Sequence, residues 1–269
     1  MHSSGPIRIF AGDNGMVANY KTVNRQGWTR LARQGVNSST PIGVDDLPYA
    51  KDWIDPFGWI EWQAIKRVLC LACGGGQQAP LFASLGCEVV SADLCPDQLE
   101  CDRKAARALG LRIECLEADM LDLSSLYGRD FDLVYQAISA CYVPNVRRLY
   151  VEVSRVLRPH GYYRVEHWNP TSMQLSDESW TGRGYELVRP CISGRLDVWR
   201  GGDVEAGAPE CWHYMHNLGD LIGGLCDAGF HIVKYREPGP SDESAEPGTL
   251  EHIGAYVRPY VSMYSQRVL

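Results

Sequence analysis

The sequence has no apolar run near the roughly 18 residues a membrane helix needs, and Met1 to Phe10 lacks the basic-then-apolar layout of a signal peptide. It has no stripe of clustered Lys and Arg, which excludes a long nucleic-acid track, because phosphates must be neutralised. Ten cysteines are scattered between Cys70 and Cys226, and only Cys70 and Cys73 form a C-x-x-C pair. No second pair and no histidine cluster at ligand spacing accompanies it, so no metal is expected. The cysteines read as small buried apolar residues in a reducing compartment. These absences predict a cytoplasmic protein that meets neither membrane nor nucleic acid, with its oligomeric state open and a homodimer among the options.

What is present is a chain of 269 residues, 45 % apolar and 22 % charged, with 27 Gly and 15 Pro. That composition excludes disordered and fibrous chains, and the length suffices for a large core. The net charge of −7 is uneven. Ten acids against two bases fall between Gly201 and Glu251, so this segment carries −8 and the remainder +1.

Four regions follow from the pattern. Residues 1–65, with Trp28, Trp53, Trp59 and Trp62 and broken by Pro41, Pro48 and Pro56, read as a helical, aromatic-rich cap. Residues 66–170 alternate strand and helix: strands at 67–72, 87–93, 112–116, 131–136 and 162–167, helices at 77–85, 96–109 and about 146–157. Gly110 stops the second helix and Pro159 the third. Residues 171–212 lose the rhythm and read as an inserted lid or substrate segment. Residues 213–269 resume it with a helix at 218–225 and strands at 230–235 and 252–257, expected to close as a hairpin. The predicted fold is α/β: a Rossmann-like, doubly wound, mostly parallel seven-stranded sheet with helices on both faces and the final strand antiparallel.

The sharpest string is Val68-Leu69-Cys70-Leu71-Ala72-Cys73-Gly74-Gly75-Gly76-Gln77-Gln78. Glycines at a strand end let the backbone approach a ligand closely, and the following helix offers free N–H groups at its positive end. Gly74-x-Gly76-x-x-Ala79 also satisfies a dinucleotide fingerprint, a weak match for a nicotinamide enzyme. Asp93 follows Gly76 at the next strand end, where a carboxylate accepts both ribose hydroxyls. Asp119 lies past the third strand, as an acceptor for an adenine amino group or as a helix N-cap. Gln136 ends the fourth strand, within reach of a bound amino-acid moiety or substrate.

The string resembles motif I of class I S-adenosylmethionine (AdoMet)-dependent methyltransferases, acid-x-Gly-x-Gly-x-Gly after a strand. Its four slots hold Cys70, Ala72, Gly74 and Gly76 here, so the acid and the first glycine are replaced. A small-molecule methyltransferase branch is similar through Cys70 to Gln77, Asp93-Leu94-Cys95-Pro96-Asp97-Gln98-Leu99, Ala118-Asp119-Met120, Cys141-Tyr142-Val143-Pro144 and Leu221-Ile222-Gly223-Gly224-Leu225. The likeness spans roughly residues 20 to 260. It implies AdoMet as cofactor, held by Ala72, Cys73, Gly74, Gly76, Asp93, Leu94, Gln98, Asp119, Met120 and Gln136.

Methyl transfer needs alignment and exclusion of water, and a hydroxyl or protonated amine also needs a base. Two histidines stand where a base is expected: His167 at the end of the fifth strand and His216 before the helix at 218. Trp28, Tyr142, Trp168, His213 and Tyr214 are the candidate walls of an acceptor pocket, and Tyr20 is expected to close over the cofactor. The reading is methyl transfer to an O or N atom of a small molecule. The acidic segment near the lid argues against RNA. Its rivals are an RNA or protein methyltransferase and a non-catalytic nucleotide-binding protein of the same fold.

Overall fold

The computed structural model describes residues 14–200 and 210–268. Helix α1 (Asn14–Gln34) and the short α2 (Ala50–Ile54) precede the alternating core. The core runs β1 (Arg67–Leu71), α3 (Gln78–Ser84), β2 (Glu88–Asp93), α4 (Pro96–Leu109), β3 (Glu114–Glu117), β4 (Phe131–Gln136), α5 (Val146–Val156) and β5 (Leu157–Trp168). After α6 (Pro170–Met173) come β6 (Arg195–Arg200) and β7 (Glu210–Met215), then α7 (Gly224–Asp227), β8 (Phe230–Arg236), α8 (Leu250–Tyr256) and β9 (Tyr260–Arg267).

Seven strands form one sheet in the order β3-β2-β1-β4-β5-β9-β8, and β6 pairs antiparallel with β7 outside it. Strands β1 to β5 are parallel, whereas β9 runs antiparallel to both β5 and β8. The sheet is doubly wound, as its sequence predicts. Along β1, Leu69 and Leu71 join one core layer with Val134, Val146, Leu149 and Val153 of β4 and α5. Val68 and Cys70 point the other way, to Ile54, Leu81, Phe82 and Leu133. A strand covered on both faces must be apolar at every position, which explains the unbroken run at 68–71.

Local chemistry sets the helix ends. Pro96 opens α4, and Gly110 closes it at φ +66. The Asn145 side chain accepts the Arg148 amide and starts α5. The predicted strand at 252–257 is instead helix α8, because the Thr249 side chain accepts the His252 amide and caps a turn that buries His252 and Ile253. The closing strand is β9, disguised by buried Ser262 and Ser265, which lie on opposite faces of it. Strand β5 starts earlier than expected, running through Pro159 with a register shift against β4. His160 stands there at φ +61, a conformation that favours glycine.

Helix α1 and strand β7 meet over the carboxyl ends of the parallel strands. The Asn24 side chain accepts the Trp212 amide at 2.6 Å and donates to the carbonyls of Tyr142 and Trp212 at 3.0 and 3.2 Å. Gly27 lets the backbones touch, since a Cβ there would lie 2.4 Å from the Glu210 carbonyl oxygen and 2.5 Å from Cys211 Sγ. The cap helix and β7 therefore form one roof. The acidic segment is less concentrated than its sequence suggests: Asp220 and Asp227 both pair with Arg147 at 2.5 Å. Asp203 and Glu205 lie outside the described residues. No helix among the described residues is long and apolar enough to cross a membrane.

Candidate active site

The strand order reverses between β1 and β4, and a cleft with about 670 Å³ of empty volume, partly open to solvent, lies outside the carboxyl ends of the strands there. Its walls include Ala72, Cys73 and Gly74 of the glycine loop, Asp93, Leu94 and Gln98 after β2, Met120 after β3, and Ala137, Ile138, Ser139 and Tyr142 after β4. Trp28 of α1 and Ser38 of the cap complete it.

The loop is closely held by its neighbours in the fold. Its three glycine amides already have acceptors: Gly74 donates to Asp93 Oδ2 at 3.1 Å, Gly75 to the Gln98 carbonyl at 3.1 Å, and Gly76 to Asp102 Oδ1 at 2.7 Å. A Cβ at Gly75 would stand 2.3 Å from the Ser38 carbonyl oxygen, and one at Gly76 would stand 2.8 Å from Pro41. The glycines thus admit the cap segment at 38–42, which also bonds the loop from Ile42 N to Gly76 O at 2.8 Å. Ala72 takes φ +48 in the slot where the motif has glycine.

Seven expected cofactor residues line the cleft: Ala72, Cys73, Gly74, Asp93, Leu94, Gln98 and Met120. Asp93 faces it with Oδ1 also accepting the Cys95 amide at 2.8 Å. Gln98 donates to Ser39 Oγ at 2.7 Å, and its buried Oε1 has no hydrogen-bond partner among the described residues. A cleft holding a carboxylate, an orphaned amide oxygen and apolar walls fits a nucleoside with an amino-acid tail. Gly76, Asp119 and Gln136 are placed differently. Gly76 lies behind the lining, against Pro41. Asp119 is gripped by Tyr20 Oη at 2.9 Å and Lys21 Nζ at 2.6 Å, so the tyrosine expected to close over the cofactor is sealed onto this acid. Gln136 turns inward, accepting from Tyr163 Oη at 2.5 Å and donating to Ser139 Oγ at 2.9 Å.

Of the expected acceptor residues, Trp28 and Tyr142 meet edge to face in the cleft, 5.4 Å between ring centres. His213 packs against Tyr142 at 4.8 Å. The two expected bases do not line the cleft. His167 and His216 sit with Trp168 and Tyr214 around a separate space of about 200 Å³, bordered by Cys141. His167 Nε2 bonds Tyr150 Oη at 3.0 Å, and His216 Nε2 bonds the Val143 carbonyl at 3.0 Å. Both are buried with a ring nitrogen already bonded, and β9 encloses His167 by pairing it with Val261. Sequence reasoning missed Ser38, Gln77, Gln78 and Asp102. Gln77 and Gln78 adjoin the glycines and were legible; Ser38 and Asp102 reach the loop only through folding.

Burial pushes Asp93 up to about 6 and Asp102 up to about 7, and pushes His167 down to about 3 and His213 and His216 down to about 4. On unfolding, each imidazole regains its usual value near 6.5 and takes up a proton, so its stabilising contribution is lost as pH falls below 6.5. The carboxyls act oppositely, holding protons in the folded state that the unfolded chain releases above its usual 3.8. Three imidazoles outweigh two carboxyls, so melting temperature should drop as pH falls from 6.5 towards 4. Asp102→Asn removes one opposing group and should steepen that drop. A melting temperature that rises on acidification would contradict this balance.

Fold and cleft together define a class I S-adenosylmethionine-dependent methyltransferase, and the chain belongs to that family. Residues 69–165 match the family profile described as Methyltransferase domain. The chain is 32 % identical over 221 residues to the uncharacterized methyltransferase YbaJ of Bacillus subtilis, an alignment covering 78 % of this chain and 83 % of that one. It is 37 % identical over 110 residues to the demethylmenaquinone methyltransferase of Thermus thermophilus, covering 40 % of this chain and 50 % of that one. Among solved structures, an S-adenosylmethionine-dependent methyltransferase from Mesorhizobium loti superposes with a TM-score of 0.59 at 22 % identity, covering 84 % of this chain and 99 % of that one. Among the described residues no group of three or more His, Cys, Asp or Glu is placed to hold a metal ion.

Proposed function

We propose that the chain transfers the AdoMet methyl group to an oxygen or nitrogen of a small molecule held at the aromatic end of the cleft. The observation that carries this reading is the cleft lining: it is roofed by α1, walled by Trp28 and Tyr142, and among the described residues its one charged side chain is Asp93. Among the described residues, a polyanionic acceptor would find no Lys or Arg there to neutralise its phosphates. In this reading residues 1–65 and 171–212 act as cap and lid on the 66–170 core, which 213–269 completes. The Thermus thermophilus relative, named for demethylmenaquinone, supports a small-molecule acceptor.

When bound, AdoMet would supply a methyl group on a positively charged sulfur, with S-adenosylhomocysteine as the product. Asp93 would accept hydrogen bonds from the ribose hydroxyls, and Leu94 and Met120 would give apolar walls. Trp28 and Tyr142 exclude water and orient the acceptor. Of the three histidines near this end, His213 is the one packed on a cleft residue, and its imidazole is neutral at pH 7, with one of its two ring nitrogens unprotonated. With a pKa near 4 it is a weak base. This favours an acceptor that needs little deprotonation, such as a neutral amine or an acidic hydroxyl, and leaves His167 and His216 to pack behind the turn.

Labelled AdoMet offered with panels of small amines and phenols, with tRNA and with peptides tests the proposal. Small molecules alone should be methylated. Trp28→Ala should raise the acceptor KM by about tenfold while S-adenosylhomocysteine affinity changes less than about threefold, because the Trp28 carbonyl that accepts from Gln98 remains. Turnover confined to tRNA or peptides would overturn the acceptor class. Cofactor binding without any turnover would favour a non-catalytic protein. A collapse of kcat in His216→Gln with cofactor binding intact would restore that histidine as the base.

A further inference from the structure

Cys70 fills the slot where the resembling motif carries an acid, and it is fully buried in β1. A carboxyl group nevertheless stands at this place, delivered by another element. Cys70 is in register with Ser91 across the β1–β2 pair. Ser91 Oγ donates to Asp102 Oδ2 at 2.5 Å, and Asp102 Oδ1 accepts the Gly76 amide at 2.7 Å. Asp102 belongs to α4 and is fully buried, on a helix face otherwise occupied by Gln98, Leu99, Cys101, Ala105 and Ala106.

A small apolar side chain would satisfy the packing of that face. A buried carboxyl group is costly unless its oxygens are hydrogen-bonded, and both are bonded here, one of them to the glycine loop. Gly76 is held at φ +83 between this acid and the cap, and the preceding amide, of Gly75, is also accepted by α4, at the Gln98 carbonyl. A second acid at position 70 would face the same serine and repel Asp102. The uncharged Cys70 leaves room for it.

We infer that Asp102 is a positioning residue for cofactor binding, supplying from α4 the carboxyl group that holds the glycine loop in its binding shape where β1 provides none. The inference rests on the reading of the cleft as an AdoMet site. Its consequence is that the loop is fixed by the helix following the ribose acid, so cofactor affinity depends on the docking of α4.

The test uses the full-length protein, S-adenosylhomocysteine titration calorimetry and hydrogen exchange of the peptide spanning 70–80, with circular dichroism as the check on folding. Asp102→Ala should weaken binding by about tenfold or more and speed exchange in the loop without ligand. Asp102→Asn, which keeps an oxygen for Gly76 and an amide for Ser91, should stay within about threefold of the unmutated protein on both readouts. Cys70→Asp combined with Asp102→Ala should recover part of the lost affinity. Should Asp102→Ala fail to fold, Asp102→Leu, which fills the space without an acceptor, takes its place. A folded Asp102→Ala with unmutated affinity and exchange overturns the inference, as does an Asp102→Asn as impaired as the alanine variant. If the unmutated protein binds no S-adenosylhomocysteine, the cofactor reading falls, and the exchange comparison alone decides whether Asp102 holds the loop.

Discussion

Asp93→Ala is expected to weaken AdoMet and S-adenosylhomocysteine binding by about a hundredfold or more. The carboxylate accepts the Gly74 and Cys95 amides at 3.1 and 2.8 Å, and its remaining lone pairs face the cleft. Hydrogen bonds to a charged acceptor contribute about 1.5–3 kcal/mol each, so losing both ribose contacts corresponds to roughly 10²-fold or more. Two backbone amides would also be stranded. Asp93→Asn keeps one acceptor oxygen and should lose about tenfold. Because burial lifts this carboxyl to about 6, the ionised form that accepts hydroxyl donors is lost as pH falls through 6. Affinity should therefore decline below that pH in the unmutated protein and stay flat in Asp93→Asn. Calorimetry across pH 5 to 8 reads both, and an alanine variant that binds normally would remove Asp93 from the site.

Gly75→Ala should be the most damaging single-methyl change in the loop. At φ +126 an L side chain is strained, at about 1–3 kcal/mol. The added Cβ would also meet the Ser38 carbonyl oxygen at 2.3 Å, so the 38–42 segment must lift from the loop, at a further cost of about 1–3 kcal/mol. A chain of this size should then melt several degrees lower, at about 2–4 °C per kcal/mol, and bind cofactor poorly. Gly86→Ala is the control. Gly86 has φ +88 but no atom within 4 Å of an added Cβ, so it carries the strain without the collision. Equal losses in the two variants would show that the cap segment does not depend on the missing side chain.

The strands and the loop were legible because their signals are local. A run apolar at every position, 68–71, identifies a strand covered on both faces, and Pro96 with Gly110 brackets a helix whatever surrounds it. The closing strand was misplaced because buried Ser262 and Ser265 disguise it, while the Thr249 cap turned an apparent strand at 252–257 into α8. His167 looked available at a strand end. It is enclosed because β9, almost a hundred residues later, pairs alongside it.

The sequence by itself determined the alternation of strand and helix, the position of the glycine loop and the acid after β2, since periodicity, glycine and proline act over a few residues. Only the tertiary structure decided which polar groups face the cleft and which are already satisfied. Asp102 reaches Gly76 from another helix, Ser38 reaches Gly75 from the cap, and His216 is taken up by the Val143 carbonyl. Burial and hydrogen-bond partnership are settled by elements far apart in the chain, so the spacing of residues within one segment carries no record of them.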